Sequence, residues 1–379
     1  MEHIIYLDNS ATTKPCKKAC EYINKALTEC WGNPSSLHEI GIDAEILVNE
    51  AREKIAKTIS AKPQEIIFTG SGTEANNTAI MSALSLKKRG NKIITSKIEH
   101  PSVLQTVKRL EDMGFEVVFL DCDSNGVIDI NQLENELNEK TVLVSIMQVN
   151  NEIGSVQPIS EIVKLTKKLS PNALVHCDAV QSFGKMQINV KNLGVDMLTA
   201  SAHKIHGPKG IGFLYCKSGV NLPPLITGGG QERGLRSGTE PVPLIAGFLG
   251  AVQDLPDLKK QYELTENLNK YAREKFTDSG FININSPLNA LPYILNISVI
   301  GYRSETLLHF LESKNIFVSS GSACAKGETS YVLAALGLSK AHADSTLRLS
   351  FSKDNTKEDI DLCLTALKEA VSKLRRKDI

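Results

Sequence analysis

The chain has 379 residues, enough for one large domain and a smaller one with a sizeable core. Its 43 basic and 43 acidic residues leave no net charge, which argues against bulk nucleic acid or an anionic membrane surface as a direct partner. Apolar runs fall short of the ~20 residues of a membrane span, and Met1 to Asp8 lacks the basic start and apolar core of a secretory signal, so a cytoplasmic location is expected.

Taken in order, Ile4 to Leu7 reads as a short strand, followed by the polar turn Asp8 to Thr13, placed for a cleft mouth. Trp31 to His38 is a loop punctuated by Gly32 and Pro34. Apolar residues recur at helical spacing from Asp43 to Ser60. Strand-like runs then alternate with helical ones. The strands are Ile66 to Thr69, Lys92 to Thr95, Glu116 to Leu120, Val142 to Val149, Leu174 to Cys177, Met197 to Ala200 and Ile211 to Tyr215. Helices are expected over Glu74 to Lys88, Ser102 to Met113 and Ile159 to Leu169. Alternation of this kind predicts an α/β fold, a mostly parallel seven-stranded sheet with helices on both faces. From Leu258 to Phe276 a long helix opens a second pattern, read as a smaller α+β domain. The expected division is 14–255 for the large domain, with 1–13 and 256–379 forming the small one.

Two strand exits carry the chemistry. Lys204, in Ser201-Ala202-His203-Lys204-Ile205-His206-Gly207-Pro208, lies between a strand and a Gly/Pro turn; it is either an ordinary strand-end lysine or a desolvated amine nucleophile toward carbonyl groups. Asp178 ends the apolar run before it, in Val175-His176-Cys177-Asp178-Ala179-Val180-Gln181. A third stretch, Thr69-Gly70-Ser71-Gly72-Thr73-Glu74, runs from a strand through two glycines into a helix and reads either as an anion cup or as a plain N-cap turn. A lysine for an aldehyde, an acid to keep a pyridine nitrogen protonated and a cup for phosphate are the needs of pyridoxal 5'-phosphate (PLP). The wording HCDAVQS followed by SAHKIHGPKG resembles the cysteine desulfurases of the NifS/IscS type, in the class V aminotransferase family of fold-type I PLP enzymes. The resemblance extends from Tyr6-Leu7-Asp8-Asn9 to Arg348, through many segments in the same order.

That resemblance implies roles position by position. Lys204 bonds the cofactor aldehyde and Asp178 pairs with the ring nitrogen. Gly72, Thr73, Ser201 and His203 hold the phosphate, and Thr239 reaches it from a second subunit, which implies a homodimer with shared active sites. His100 stacks on the ring and carries protons, although as a bare residue before Pro101 it reads first as a turn or capping residue. Asn151 lies beside the ring, Gln181 donates to its phenolic oxygen, and Arg348 grips the substrate carboxylate; read alone, Arg348 is a strand residue facing one side of a sheet.

The eight cysteines form no CxxC or CxxH pair, so neither a metal site nor a disulfide scaffold is expected. Cys324 differs from the others. It sits among Ser, Gly, Ala and Lys in Ser319-Ser320-Gly321-Ser322-Ala323-Cys324-Ala325-Lys326, a setting for an accessible thiol, and SSGSAC resembles the desulfurases' catalytic loop. The segment between Cys324 and Tyr331 is shorter than is usual in the family, which bears on how far a thiol there can deliver sulfur. The expected reaction takes sulfur from L-cysteine, leaves L-alanine and a persulfide on Cys324, and passes the sulfur to an unidentified acceptor in iron-sulfur cluster assembly or in tRNA or cofactor thiolation. Alternatives on the same fold are a selenocysteine lyase, an aminotransferase and, without chemistry, a dimeric sulfur-carrier scaffold.

Overall fold

The computed structural model describes residues 4–320 and 330–376. Cys324 lies outside the described residues.

Seven strands build the large sheet: β2 (Ile66–Thr69), β3 (Lys92–Ser96), β4 (Glu116–Leu120), β5 (Thr141–Met147), β6 (Leu174–Asp178), β7 (Met197–Ser201) and β8 (Gly212–Cys216), in the order β2-β8-β7-β6-β5-β3-β4. β4, β3, β5, β6 and β7 pair in parallel, and β8 runs antiparallel to both of its neighbours. Five of the seven strands are buried along their whole length, as expected where helices cover both faces. The helix expected over Glu74 to Lys88 is two shorter ones, Gly72–Met81 and Ala83–Leu86. At the joint, the Ser82 hydroxyl bonds back to the Ala79 carbonyl, an alternative to the regular helix ladder.

Beneath the sheet, helix Val242–Gln253 is apolar on nearly every side because it is covered on nearly every side. Gly247 and Gly250 let it cross close to helix Lys17–Thr28: a Cβ on Gly250 would stand 2.7 Å from the Lys18 carbonyl oxygen, and one on Gly247 2.7 Å from Ile23. Phe248 meets Phe213 and Phe183 in a trio of rings with centroids 5.2 to 6.1 Å apart, all within one large apolar cluster.

A separate apolar cluster gathers Leu268, Phe276, Leu307, Leu347 and Leu367 with Ile5 and Leu7 from the start of the chain. Here β9 (Asn283–Ile284), β10 (Ile294–Ser298), β12 (Ser319–Ser320) and β13 (Thr346–Ser350) form an antiparallel sheet in the order β12-β13-β10-β9. β1 (Ile5–Tyr6) adds in parallel to β11 (Ile316–Phe317). The chain then crosses from this cluster to the large sheet through residues 8–13: the Ser350 N–H donates to the Leu7 carbonyl, and the Thr13 N–H to that of His203.

Truncating the ring at the centre of the large cluster checks this packing. Phe248→Ala should cost about 3–5 kcal/mol, read as a lower denaturation midpoint in urea; a loss within the error of the midpoint would show that the trio does not anchor the core.

Candidate active site

The parallel strands deliver their carboxyl ends to one cavity of about 330 Å³, a size suited to a small ligand. Its lining brings together Gly72, Thr73, His100, Asn151, Asp178, Gln181, Ser201, His203, Lys204 and Arg348. Thr239 is not among these residues; it is exposed, on the loop that follows Gly230.

Lys204 ends a single 3-10 turn, Ala202–Lys204, directly after β7. Its Nζ donates to the carbonyls of Ser10 and Ala11, at 2.5 and 2.8 Å. Burial, and next the charge of Arg348, lower its proton affinity to about 8, against the pull of Asp8 and Asp178. Asp178 is the last residue of β6 and only 5 % exposed. One carboxylate oxygen accepts from the Asn76 amide at 2.7 Å, the other from the Val180 N–H at 2.9 Å. No lysine or arginine among the described residues pairs with it.

Helix Gly72–Met81 begins on the cavity wall. Ser71 caps it, its hydroxyl accepting from the Glu74 N–H and its carbonyl from the Ala75 N–H, so Gly72 and Thr73 open the helix with donors that no turn of the helix can use. A Cβ on Gly72 would lie 2.9 Å from Val180 and 3.4 Å from Ser201, so only glycine brings this helix start against both the Asp178 turn and the end of β7. His203 faces Thr12 across 3.3 Å, and burial with the Lys204 charge lowers it to about 4. His100 is the N-cap of helix Pro101–Asp112, as a residue before proline can be, and still lines the cavity. Its Nδ1 accepts from the Ser102 N–H at 3.1 Å, which leaves Nε2 to carry the proton of the neutral ring; burial lowers its proton affinity.

The paired asparagines divide their work. Asn150 makes the turn, accepting from the N–H groups of Glu152 and Ile153, while Asn151 lines the cavity and its carbonyl accepts from Arg348 at 3.0 Å. Arg348 occupies a central strand of the small sheet, is 1 % exposed, and also donates to Asp8 at 2.9 Å. Several partners carried no recognisable signal in the sequence: Asn76 on Asp178, Ser102 on His100, and the two carbonyls on Lys204. Asn76 and Ser102 sit near helix starts like many solvated residues, and backbone carbonyls leave no trace in residue type. Glu99, beside His100, is fully buried, accepts from Ser96 and Met147, and is raised to about 8 by burial.

These residues fit PLP. Four buried polar atoms on the cavity wall have no partner among the described residues: Ser10 Oγ, Asn76 Oδ1, Asn151 Oδ1 and Arg348 Nε. Such atoms are costly unless a polar ligand meets them. The buried Asp178 carboxylate suits a protonated ring nitrogen, and the helix start at Gly72 suits a phosphate. Among the described residues no group of three or more His, Cys, Asp or Glu side chains is arranged to hold a metal.

The aminotransferase class-V family model matches residues 5–363. A cysteine desulfurase IscS of Dictyoglomus turgidum is 42% identical over 381 residues, covering 99% of this chain and 96% of its own length. Among solved structures, a NifS-like protein superposes with a TM-score of 0.93 at 39% identity, covering 98% of this chain and 100% of that one. SspA in complex with cysteine gives a TM-score of 0.82 at 38% identity over 92% and 98% of the two chains.

The lowered proton affinity of Lys204 has a direct readout. In the cofactor-free protein, reductive trapping of a small aldehyde should label Lys204 with a midpoint near pH 8. Below that the amine is protonated and unreactive; above it the neutral amine attacks, whereas an ordinary lysine would titrate at ~10.4. A labelling midpoint near that ordinary value would contradict the desolvated amine.

Proposed function

We propose that this chain, which belongs to the aminotransferase class-V family, is a PLP-dependent cysteine desulfurase that converts L-cysteine to L-alanine and keeps the sulfur as a persulfide on Cys324. The observation that carries this reading is the meeting of a desolvated lysine, a buried unpaired carboxylate and a buried arginine in one cavity with unpartnered polar atoms.

Lys204 would hold PLP by its aldehyde, Asp178 by its ring nitrogen, Gln181 by its phenolic oxygen, and Gly72, Thr73, Ser201 and His203 by its phosphate, with Asn151 and His100 about the ring. When bound, the cofactor supplies an electron sink for bonds at the amino acid's α-carbon. Arg348 binds the substrate carboxylate through its guanidinium fork. The Lys204 amine, neutral in a good fraction of molecules near pH 8, takes the α-proton, and His100 holds a proton at Nε2 for return to substrate carbon. The Cys324 thiolate attacks the substrate sulfur; the new S–S bond forms as the carbon–sulfur bond breaks, and the electron pair stays on carbon, to be protonated in alanine.

Thr239 belongs in this reading to the phosphate site of a partner copy. Two observations support a homodimer. Thr239 is exposed on a loop that is itself anchored, since Glu232 accepts from Arg52 at 2.8 Å and from the Phe68 N–H, and Arg236 pairs with Glu74. A run of large apolar side chains, Leu27, Trp31, Leu37 and Ile46, is also exposed on the single chain, Leu37 at 95 %. The two apolar clusters support a division into a large domain over 14–255 and a small one over 1–13 and 256–379. Among the described residues no helix is long and apolar enough to cross a membrane. The persulfide sulfur goes on to an acceptor protein in iron-sulfur cluster assembly or in thiolation of tRNA or a cofactor, and the enzyme works in the cytoplasm.

Cys324→Ala should keep the visible absorption of bound PLP while alanine formation from L-cysteine falls by at least about a thousandfold; sulfide release at the wild-type rate would remove the thiol from the reaction. Arg348→Ala should raise the KM for L-cysteine by roughly tenfold to a hundredfold, the worth of a charged hydrogen-bonded contact. Keto-acid rather than alanine as the product would favour an aminotransferase.

A further inference from the structure

The turn after β6 buries a second lysine that the reaction does not use. Lys185 is 5 % exposed and lies four residues beyond Gln181. Its Nζ donates to Gln181 Oε1 at 3.1 Å and stands 5.9 Å from the centre of the Tyr293 ring; among the described residues no carboxylate pairs with it. Lys204 and Arg348 are its charged neighbours. Around a small adjoining cavity of about 40 Å³ that it shares with Lys204 lie His206, Asp254, Tyr293 and Lys353. A cation kept out of water without a counter-ion is unfavourable, so its position calls for a reason.

Gln181 supplies one. An amide has an accepting and a donating end of nearly the same shape, and a cavity-facing glutamine can present either. With Oε1 taken by Lys185, the NH2 end is turned the other way. One of its hydrogens goes to the Ser10 carbonyl, at 3.0 Å, and the second is left for whatever fills the cavity that Gln181 lines. We propose that Lys185 is a positioning residue: it fixes the Gln181 amide so that only a donor faces the cofactor, and thereby stabilises an oxyanion on the ring. The inference rests on the PLP reading above. The same Ser10 oxygen accepts from Lys204, so the chain Lys185 to Gln181 to Ser10 to Lys204 places the amide and the reactive amine on one shared acceptor. Burial, Lys204 and Arg348 lower Lys185 to about 7, and in either protonation state it keeps N–H groups to donate.

The test titrates the visible absorption of bound PLP with pH in the holoenzyme, for wild type, Lys185→Met, Gln181→Met and the double variant. Lys185→Met keeps the length of the side chain and removes its donors. Its titration midpoint should rise by about one unit, a tenfold tighter hold on the proton. Gln181→Met should move the midpoint by a similar amount, and the double variant no further, because one residue acts through the other. An unmoved midpoint in Lys185→Met, or a double variant that shows the sum of both shifts, overturns the proposal. Should Lys185→Met not fold, Lys185→Arg keeps a donor and should hold the wild-type midpoint; a shift as large as that of Gln181→Met overturns the proposal there. A wild-type chain with no visible band fails at the cofactor itself, whereas a normal band with an unmoved midpoint fails only at Lys185.

Discussion

Residues 8–13 are held from two sides, and Ser10 and Ala11 form part of the cavity wall. Asn9 donates to the Ser350 carbonyl at 2.8 Å and the Ser10 N–H to the Ser350 hydroxyl at 2.7 Å, which bind the segment to the small sheet. Thr13 bonds the His203 carbonyl through both its N–H and its hydroxyl, which binds the other end beside β7. Between these anchors the backbone of Ser10 and Ala11 turns its carbonyls to Lys204, and Asp8 turns its carboxylate to Arg348. The two cations therefore meet their partners on one short stretch of chain, across a seam between two apolar clusters.

The electrostatics follow from that seam. Lys204, Lys185 and Arg348 crowd a low-dielectric space, and burial with the repulsion between them pushes both lysines toward their neutral forms. Arg348 presents a planar guanidinium fork and is the fixed point for an anionic group. His100 and His203 are held neutral by the same burial. The result separates duties: one permanent cation to bind, one soft amine to react, one imidazole to shuttle.

What the sequence made legible was the chemistry at strand exits. Asp178, Lys204 and the glycine turn at Gly72 each follow an apolar run, and the rule that ligands lie beyond the carboxyl ends of parallel strands places them together without coordinates. Contacts made across the fold were not legible. Asn76 reaches Asp178 from 102 residues away and Gln181 reaches Ser10 from 171, and neither has a pattern that distinguishes it from a solvated amide. Helix Val242–Gln253 shows no stripe because every face is covered, and the division of Asn150 and Asn151 into turn and cavity depends on which amide points inward. Thr239 stands apart from the cavity lining: its loop is tied down by Arg236 on Glu74 and by Glu232 on Arg52, and Thr239 itself is left exposed.

The docking of Asn9 against Ser350 has a consequence for biogenesis. The two residues are separated by 341 positions, so on the ribosome the segment around Asn9 cannot take this seat until Ser350 has been made. Until then the segment whose carbonyls meet Lys204 has only its Thr13 end secured, against the His203 carbonyl.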